Sequence, residues 1–558
     1  MASIQSGQIF LALLSGVLVA LVVTTAFLFL YRRAVARTMR LDSAHGGITA
    51  AGMATAPGEA AGVGPPGTGS NQIPHRAVRA QRGIAIAYAI AFGIAAAVLH
   101  APSLAQLWTE STDGLGFLRV FAWWFPVWSA TLFVLAALLH LGRRRTWTWV
   151  AAALVTGAAL SVLLPTAVRI AQGTALGIEL LANAGYFAIA FAVNAALPAL
   201  LVFLTGRPRL RNVLPMVLVM VMTLSLVVAA VYHVFVQLFA GSGPLEATPL
   251  RVAAMAIGPS ALVLALALPA GWLAWRGTAA LAARYRARRF SDMQLLADAW
   301  WGVIVAFTVA GLWQYGGLVA LGCALGSWGC YYIVVRLLLR VQGLGSGAGG
   351  PPLLLLRVFG HQARTERLFD AVAAQWRFTG PVAMIAGADL ALRSIDVDEA
   401  LAFAHGEIES GYVANRADLD RRLEGLQGRV DPDGRYRVED FFCFDDTWRA
   451  TLQALVGRSR VVLMDLRGFT RANAGCVYEL EQLGEWGGRL LRRCVFITDA
   501  STDRPLAEAS LTAGAGGAAL PVARWIDLSR DDDPALGRLR DALLEVAAPG
   551  PGAGRAPG

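Results

Sequence analysis

The sequence predicts two parts, an α-helical polytopic membrane domain and then a cytoplasmic α/β domain with a doubly wound, mainly parallel sheet. Two observations predict this division. The chain of 558 residues is 56% hydrophobic and only 15% charged, which is too apolar for a soluble protein of this size. After residue 352 the long apolar runs give way to short ones that alternate with helical patterns, as in a parallel sheet covered by helices.

Charge is distributed unevenly between the two parts. Residues 1–340 contain 23 basic and 8 acidic residues, whereas residues 341–558 contain 25 basic and 30 acidic residues. The arginines of the first part cluster in short segments between apolar runs, which is typical of the cytoplasmic loops of membrane proteins. Because the basic residues lie in these segments and the soluble part is mildly acidic, we expect no nucleic acid as a partner. The apolar composition predicts a lipid bilayer as the partner instead.

Nine apolar runs reach the roughly 20 residues that a membrane-spanning helix requires. The first lies in an N-terminal anchor over residues 1–40, which we expect to remain uncleaved because its arginines follow the apolar run. A cytoplasmic loop over residues 41–82 is rich in Gly, Ala and Pro and is predicted to be disordered. The membrane domain over residues 83–340 then contains eight further helices, predicted at 83–106, 117–141, 147–168, 180–205, 212–240, 251–275, 299–316 and 318–337.

The positions of the arginines predict the orientation of the chain in the cell membrane. Arginines fill alternate loops, among them 143–145, 207–211 and 276–289, while Glu179 and Glu246 lie in the loops between. Short cytoplasmic loops carry the excess of positive charge. The N-terminus is therefore predicted to lie outside, and the C-terminal domain in the cytoplasm.

Polar side chains inside the predicted spans are costly in lipid and are therefore candidate functional residues. Most of them lie near a span end, where a polar group reaches water, and His233 and Asn194 are the two that remain as candidates. They suit a transporter or channel in which the α/β domain is regulatory. The sequence shows no internal repeat of the kind found in many transporters.

A Gly-rich segment over residues 341–351 connects the two parts. It contains the spacing Gly-x-Gly-x-x-Gly, but it follows a predicted membrane helix and precedes a predicted strand. This order is the reverse of the one that a dinucleotide-binding fold requires, so we interpret the segment as a linker.

The α/β domain is predicted over residues 352–546, and the tail over residues 547–558 is predicted to be disordered because it is rich in Pro and Gly. Apolar runs predict strands at 353–359, 381–386, 460–466, 493–498 and 522–527. Helical periodicity predicts helices at 363–377, 398–405, 416–426, 445–455, 474–490 and 533–546. Ligands of such sheets bind outside the carboxyl ends of the strands.

One part of this domain resembles a known family. Ser459 and Arg460 precede an apolar strand, and the following helix opens with Cys476, Glu479 and Leu480 in a Cys-x-x-Glu-Leu sequence. This arrangement resembles the TIR domain family over residues 352–546, and most specifically over residues 448–480. The first strand lacks the acidic and aromatic-serine residues usual in TIR domains. The segment 388–447 is also longer than the corresponding connection in the family.

The resemblance implies a flavodoxin-like fold and a signalling or interaction domain that forms homo-oligomers. In TIR domains that cleave NAD, the functional carboxylate is the Glu of this same helix, so the resemblance implies Glu479 as a catalytic residue and NAD as a substrate. On a helical wheel Glu479 lies about 75° from the centre of the apolar face, where a side chain can border a cleft. The alternative is that Glu479 is an ordinary acid in the first turn of its helix.

Five further polar residues are predicted to lie near the same sheet edge: His361, Arg364, Asp446, Asp465 and Arg467. Some of them have a structural alternative. Asp465 can cap the loop after its strand, and Asp445 or Asp446 can cap the helix that follows. The five cysteines show no metal-ligand spacing, so we expect reduced thiols and no metal site.

Overall fold

The structure of the chain is a computed structural model. It forms two compact units, one mainly within Gln81–Gln342 and the other mainly within Gly343–Ile395 and Ala402–Gly558. It describes residues 25–38, 73–101, 259–316, 318–344, 350–358, 375–386, 397–426, 430–518, 523–529 and 533–548, with isolated positions at 22, within 148–173 and within 368–373.

Four long helices are described in the part of the chain before the linker. They are α1 (Ile73–Leu99), α2 (Pro259–Arg286), α3 (Asp292–Gly316) and α4 (Leu318–Val341). Among the described residues, two helices are long and apolar enough to cross a membrane, Arg79–Leu99 within α1 and the whole of α4. Six other predicted spans lie wholly or partly outside the described residues, namely the first apolar run at residues 8–31 and the spans 117–141, 147–168, 180–205, 212–240 and 251–275.

Helix α1 is apolar on its exposed side as well as on its packed side. Ile86, Ile90 and Ile94 are exposed at a spacing of four residues. On the packed side, the ring centroid of Phe92 lies 4.9 Å from that of Trp301 in α3 and 5.0 Å from that of Tyr331 in α4. A helix that is apolar all round suits contact with lipid.

The helices extend beyond the apolar runs in the sequence. Helix α1 begins at Ile73, so residues 73–82 are helical and are not part of a disordered loop, as their composition had suggested. Helix α2 continues past residue 275 to Arg286, and α3 begins at Asp292, before the predicted start at residue 299. Hydrophobicity predicts the part of a helix that lies in lipid, whereas the helix itself ends where its backbone hydrogen bonds end.

The second unit alternates strands and helices. Its strands are β1 (Leu353–Arg357), β2 (Val382–Ala386), β3 (Tyr412–Val413), β4 (Val438–Cys443), β5 (Val461–Asp465), β6 (Cys494–Thr498) and β7 (Arg524–Asp527). Helix α5 (Val397–Ala404) belongs mostly to the first unit. The helices of the second unit are α6 (Arg416–Gly425), α7 (Trp448–Arg458), α8 (Ala474–Glu485), α9 (Gly488–Leu491), α10 (Arg504–Gly514) and α11 (Asp533–Ala547). Residues 368–369, 371–373 and 375–376 are helical between β1 and β2.

The seven strands form one parallel sheet in the order β3-β4-β2-β1-β5-β6-β7. All residues of β1, β5 and β6 are buried, as expected for strands that are covered on both faces. From β1 the chain moves first to one side, to β2, and later returns to the other side, to β5. The boundary between β1 and β5 is therefore the topological switch point of the sheet.

Alternating side chains of the strands form two hydrophobic cores, one on each face of the sheet. Leu354 and Val462 pack with residues from α6, α7, α8 and α10. Leu355 and Leu463 pack with helical residues between β1 and β2 and with α11 on the opposite face. The domain is thus an α/β domain with helices on both faces of a parallel sheet, as predicted.

Some elements of this domain differ from the prediction. Strands β3 and β4 lie in the long segment 388–447, where no strand was predicted, and they extend the sheet beyond β2. Helix α10 also lies where no helix was predicted. The predicted helix at 474–490 divides into α8 and α9 because Gly487 adopts a φ of 74°, which ends the first helix.

Candidate functional site

The candidate site lies at the carboxyl ends of β1 and β5, on both sides of the switch point. Arg357 is the last residue of β1 and is aligned in register with Asp465, the last residue of β5. The backbone N–H of Val358 donates to the Asp465 carbonyl oxygen over 3.1 Å, which holds the two strand ends together. This is the position at which open parallel sheets bind their ligands.

Asp465 and Arg467 form a buried ion pair at the end of β5. Nη2 of Arg467 lies 2.7 Å from Oδ2 of Asp465, and its Nε lies 2.8 Å from Oδ1. Oδ1 also accepts the backbone N–H of Arg467 over 3.2 Å, so Asp465 caps the turn after its strand. The two side chains are only 1% and 3% exposed. The pair is therefore neutral as a whole and sits within the protein rather than at an open cleft.

Glu479 lies in the second turn of α8, which follows the N-cap residue Asn473. The residue is only 4% exposed, and its Oε2 has no hydrogen-bond partner among the residues that the structure describes. Burial raises the pKa of Glu479 to about 8, although the positive charge of Arg357 acts in the opposite direction. The interpretation of Glu479 as a first-turn acid is therefore wrong, and its carboxyl group is largely protonated at neutral pH.

Helix α8 is fixed to the end of β1 on one side and to α10 on the other. The thiol of Cys476 donates to the carbonyl oxygen of Arg357 over 3.4 Å. A Cβ atom on Gly484 would lie 2.0 Å from the carbonyl oxygen of Leu511 in α10, so only glycine permits this approach. Glu479 lies one turn after Cys476, on the side of the helix that faces the strand end.

Two further buried polar groups were not identified from the sequence, namely Arg357 at the site and Asp440 in β4. Arg357 is 5% exposed and ends the otherwise apolar strand β1, which is a signal that could have identified it. Asp440 lies in β4, and its Oδ1 is buried without a hydrogen-bond partner within the described part of the chain. Burial and the charge of Glu439 raise the pKa of Asp440 to about 7, while Arg357 and Arg422 act to lower it.

Three further residues were predicted for the site. His361 and Arg364 are outside the described residues. Asp446 is exposed and follows β4, two strand positions away from β1. The N-cap of α7 is Thr447, so Asp445 and Asp446 do not cap this helix as the sequence had suggested. Of the predicted residues, Asp465 and Arg467 thus contact each other at the end of β5, and Glu479 lies on the helix that contacts the end of β1.

The thiols and acids of the described residues show no features of a metal site. No group of His, Cys, Asp or Glu side chains in these residues could hold a metal ion. Cys443, Cys476 and Cys494 are buried and unbridged. Burial raises the pKa of Cys443 to about 11 and that of Cys494 to about 12, so both remain protonated, unreactive thiols.

No protein-family model matches the sequence, and a comparison with curated proteins gives no match. The structure itself therefore defines the class of protein. The chain combines at least two helices that are able to cross a membrane with an α/β domain built on a parallel sheet. The switch point of that sheet holds a buried cluster of acids and arginines.

Proposed function

We propose that the chain is a multi-pass protein of the cell membrane whose cytoplasmic α/β domain is a TIR-like signalling domain. The observation that carries this proposal is the location of the residues that produce the resemblance. Ser459 is the C-cap of α7, and its Oγ donates to the carbonyl oxygen of Leu455 over 2.7 Å. Cys476 and Glu479 are buried in α8. Ser459 therefore precedes β5 at its amino end, whereas Cys476 and Glu479 follow β5 on the helix that contacts the carboxyl end of β1.

The strand order supports the same proposal. Without β3 and β4, the order is β2-β1-β5-β6-β7, which is the flavodoxin-like order of five parallel strands. The two additional strands occupy the segment in which the sequence departs from TIR domains. This departure thus adds two strands at one edge of the sheet and leaves the other five strands in the flavodoxin-like order.

In this proposal the membrane helices hold copies of the cytoplasmic domain in one plane, where self-association is favoured by a high effective concentration. The test is to count subunits by single-molecule photobleaching of the labelled full chain in lipid vesicles. A chain that ends after residue 344 is the matched control. Oligomers of the full chain, and monomers of the shortened chain, are expected. Monomers of the full chain at every density would contradict the proposal.

A second candidate function, hydrolysis of NAD, is favoured by the buried carboxyl oxygen of Glu479, which has no hydrogen-bond partner among the described residues. In this reaction the bond between ribose C1′ and the nicotinamide nitrogen breaks, and nicotinamide leaves with the electron pair. Water then adds to C1′ and loses a proton. An ionised Glu479 would stabilise the positive charge at C1′ or accept a hydrogen bond from a ribose hydroxyl.

The protonation state of Glu479 sets a condition on this reaction. Since burial keeps the pKa of Glu479 near 8, the carboxyl group must lose its proton before it can act on a cationic centre. The positively charged nicotinamide ring of NAD would favour that loss. Turnover is therefore expected to increase as the pH rises towards 8.

The experiment is to measure NAD turnover by the full chain in lipid nanodiscs between pH 6 and pH 9. The Glu479→Gln variant is expected to lose about 100-fold or more in rate, the effect of removing a group that stabilises the transition state. Glu485→Gln is the matched control, because Glu485 is an exposed acid at the end of the same helix. Equal turnover by the wild type and Glu479→Gln would exclude this reaction at the site.

A further inference from the structure

The amino ends of the strands meet at one edge of the sheet, and the linker that follows α4 enters the domain at this edge. All seven strands are parallel, so the residues that precede them lie together. Two hydrogen bonds fix the last residues of the linker here. The backbone N–H of Gly350 donates to Oη of Tyr436 over 3.0 Å, and that of Arg460 donates to the carbonyl oxygen of Pro352 over 2.9 Å. Tyr436 and Arg460 precede β4 and β5, so the starts of these strands lie next to the end of the linker.

Three arginines and a tryptophan lie at this edge and form a surface that we call the amino-edge patch. Its members are Arg458, Arg460, Trp486 and Arg492. Trp486 is the C-cap of α8, and a Cβ atom on Gly457 in α7 would lie 3.0 Å from Cη2 of its indole ring. The ring therefore packs against the last turn of α7, which ends at Arg458.

The arginines of the patch face water. The backbone N–H of Val462 donates to the carbonyl oxygen of Arg493 over 2.9 Å, so Arg460 and Arg492 precede neighbouring strands. Arg458 and Arg492 are exposed, and Arg460 is partly exposed. None of these three side chains forms an ion pair within the part of the chain that the structure describes. Their positive charges are therefore directed at the solvent.

Acids at the same edge neutralise arginines other than those of the patch. Asp431 and Asp433 form buried ion pairs with arginines of their own turn, and Glu545 pairs with Arg524. Glu485, at the end of α8, is an exposed acid. The three arginines of the patch thus leave a net positive charge beside it.

The opposite edge of the sheet carries exposed acids after the strands, namely Asp445, Asp446, Asp503 and Asp527. Residues 341–558 contain 30 acidic and 25 basic residues, so a positive surface does not follow from the composition of the domain. The helix dipole favours an arginine in the last turn of α7. It does not account for Arg460, which lies outside the helix, or for the indole ring of Trp486.

We propose that the amino-edge patch binds the anionic phospholipid headgroups of the membrane that α4 crosses. Guanidinium groups bind phosphate oxygens at two points, and an arginine near an anionic surface strengthens binding by roughly fivefold. Indole rings concentrate at the level of the headgroups. Residues 342–350 extend over at most about 32 Å, so the linker keeps the patch within reach of the lipid surface. The inference rests on the proposed membrane placement of α4.

The test measures how lipid shields the patch in the full chain, reconstituted in nanodiscs that hold one chain each. One set of discs contains phosphatidylcholine alone, and the other an equal mixture of phosphatidylcholine and phosphatidylserine. Glu485→Cys places a thiol next to Trp486, and its rate of reaction with an uncharged polyethylene glycol maleimide is measured by mass spectrometry. Asp445→Cys is the matched control, because it also replaces an exposed acid but lies at the opposite edge.

The rate at Glu485→Cys should fall several-fold when phosphatidylserine is present, and the rate at Asp445→Cys should not change. High salt should restore the rate, because it screens the attraction between the arginines and the headgroups. Equal rates at Glu485→Cys in the two kinds of disc, or equal shielding at both positions, would overturn the inference. Shielding in phosphatidylcholine alone that grows when a disc holds two chains would assign the patch to a second copy, and would overturn it as well.

Removal of charge identifies the arginines that act. Arg458→Gln/Arg492→Gln should weaken binding roughly 25-fold, so the shielding of Glu485→Cys by phosphatidylserine should be lost. Arg449→Gln/Arg471→Gln is the matched control, since it removes two exposed arginines at the opposite edge, and it should keep the shielding. Shielding that persists in both double variants would overturn the inference.

A thiol in the core checks that these variants fold. Cys494 is 1% exposed in β6, so it is alkylated only when the sheet opens. The readout is the urea concentration at half-alkylation of Cys494 in the full chain in detergent, located by mass spectrometry. Surface changes of this kind should leave it nearly unchanged. If Arg458→Gln/Arg492→Gln lowers it, the effect of salt on Glu485→Cys decides, and shielding that high salt does not remove would overturn the inference.

A thiol in α4 separates this inference from the proposed membrane placement. Ile333 is 68% exposed, so Ile333→Cys should react quickly in the same discs unless lipid covers it. An unreactive Ile333→Cys with an unshielded Glu485→Cys would support the placement and reject the lipid site. A reactive Ile333→Cys, together with shielding of Glu485→Cys by phosphatidylserine, would reject the placement and support the lipid site.

Discussion

Asp465 holds the guanidinium of Arg467 in a two-point ion pair while its own backbone is in register with Arg357 on the neighbouring strand. The pair is buried, and it closes the turn that leads from β5 to α8. The position of α8, and with it the position of Glu479, depends on this turn. The ion pair therefore links the stability of the sheet to the geometry of the site.

Removal of one partner should destabilise the α/β domain strongly. Arg467→Ala leaves the Asp465 carboxylate buried without its partner, which costs about 3–5 kcal/mol. The urea midpoint for alkylation of Cys494 in the full chain is expected to fall accordingly. Arg504→Ala is the control, because the Arg504–Glu508 pair is about half exposed and contributes less than about 1 kcal/mol. If both changes have a similar, small effect on the urea midpoint, the buried pair does not stabilise the domain.

Close contact between α8 and α10 gives a second prediction. A Cβ atom on Gly514 would lie 1.9 Å from the carbonyl oxygen of Glu481, so Gly514→Ala must push the two helix backbones apart. We expect a loss of about 1–3 kcal/mol in the same urea experiment. Gly475→Ala in α8 has no atom within 4 Å of its new Cβ and should stabilise the domain slightly. Tolerance of Gly514→Ala would mean that the helices pack less closely than described.

The sequence predicted the strands that contain a run of apolar residues, and it missed β4, whose first half carries two acids. Strands β1 and β5 are buried on both faces, so each appears in the sequence as an uninterrupted apolar run. Strand β4 begins with Val438, Glu439 and Asp440, and its first half is only partly buried. Because of these two acids, a search for apolar runs does not detect the strand.

Only part of the candidate site was predicted, for a related reason. The resemblance and the helical wheel identified Glu479, but the wheel placed it on the flank of a helix, where an acid is normally exposed. Its burial depends on the end of β1, a strand more than 100 residues earlier in the chain. Local periodicity contains no information on such a contact. The same limit explains why Asp440, on a strand that was not predicted, was missed.

The raised pKa of Glu479 predicts how stability depends on pH. The folded domain binds this proton up to about pH 8, whereas the unfolded chain releases it near the ordinary value of 4.5. The folded state therefore loses stability as the pH rises from about 4.5 to 8, and the loss is complete above pH 8. Glu479→Gln cannot lose a proton. Relative to the wild type, it should gain stability on the order of a few kcal/mol over this interval.

The measurement is the urea midpoint of Cys494 alkylation at pH 5 and at pH 8 for the two proteins. Glu485→Gln serves as the control, since Glu485 is exposed. Its difference from the wild type should be the same at both pH values. If the difference in urea midpoint between Glu479→Gln and the wild type is also the same at both pH values, Glu479 ionises at its ordinary pKa in the folded domain.

Thiol chemistry can test the membrane placement of α4, a helix that already contains two native cysteines, Cys323 and Cys330. Ile333 in the same helix is 68% exposed, so a thiol at this position would react quickly with a charged maleimide if α4 were in water. In lipid vesicles we expect Ile333→Cys to remain unmodified. The bilayer excludes the charged reagent and suppresses the thiolate that reacts.

Glu508→Cys on α10 is the matched control, because this residue lies at the surface of the α/β domain. It should react at once in inverted vesicles, and only after permeabilisation in right-side-out vesicles, since the domain is proposed to be cytoplasmic. Rapid modification of Ile333→Cys in intact vesicles would show that α4 does not lie in the membrane. Modification of Glu508→Cys in sealed right-side-out vesicles would contradict the orientation that the arginines predict.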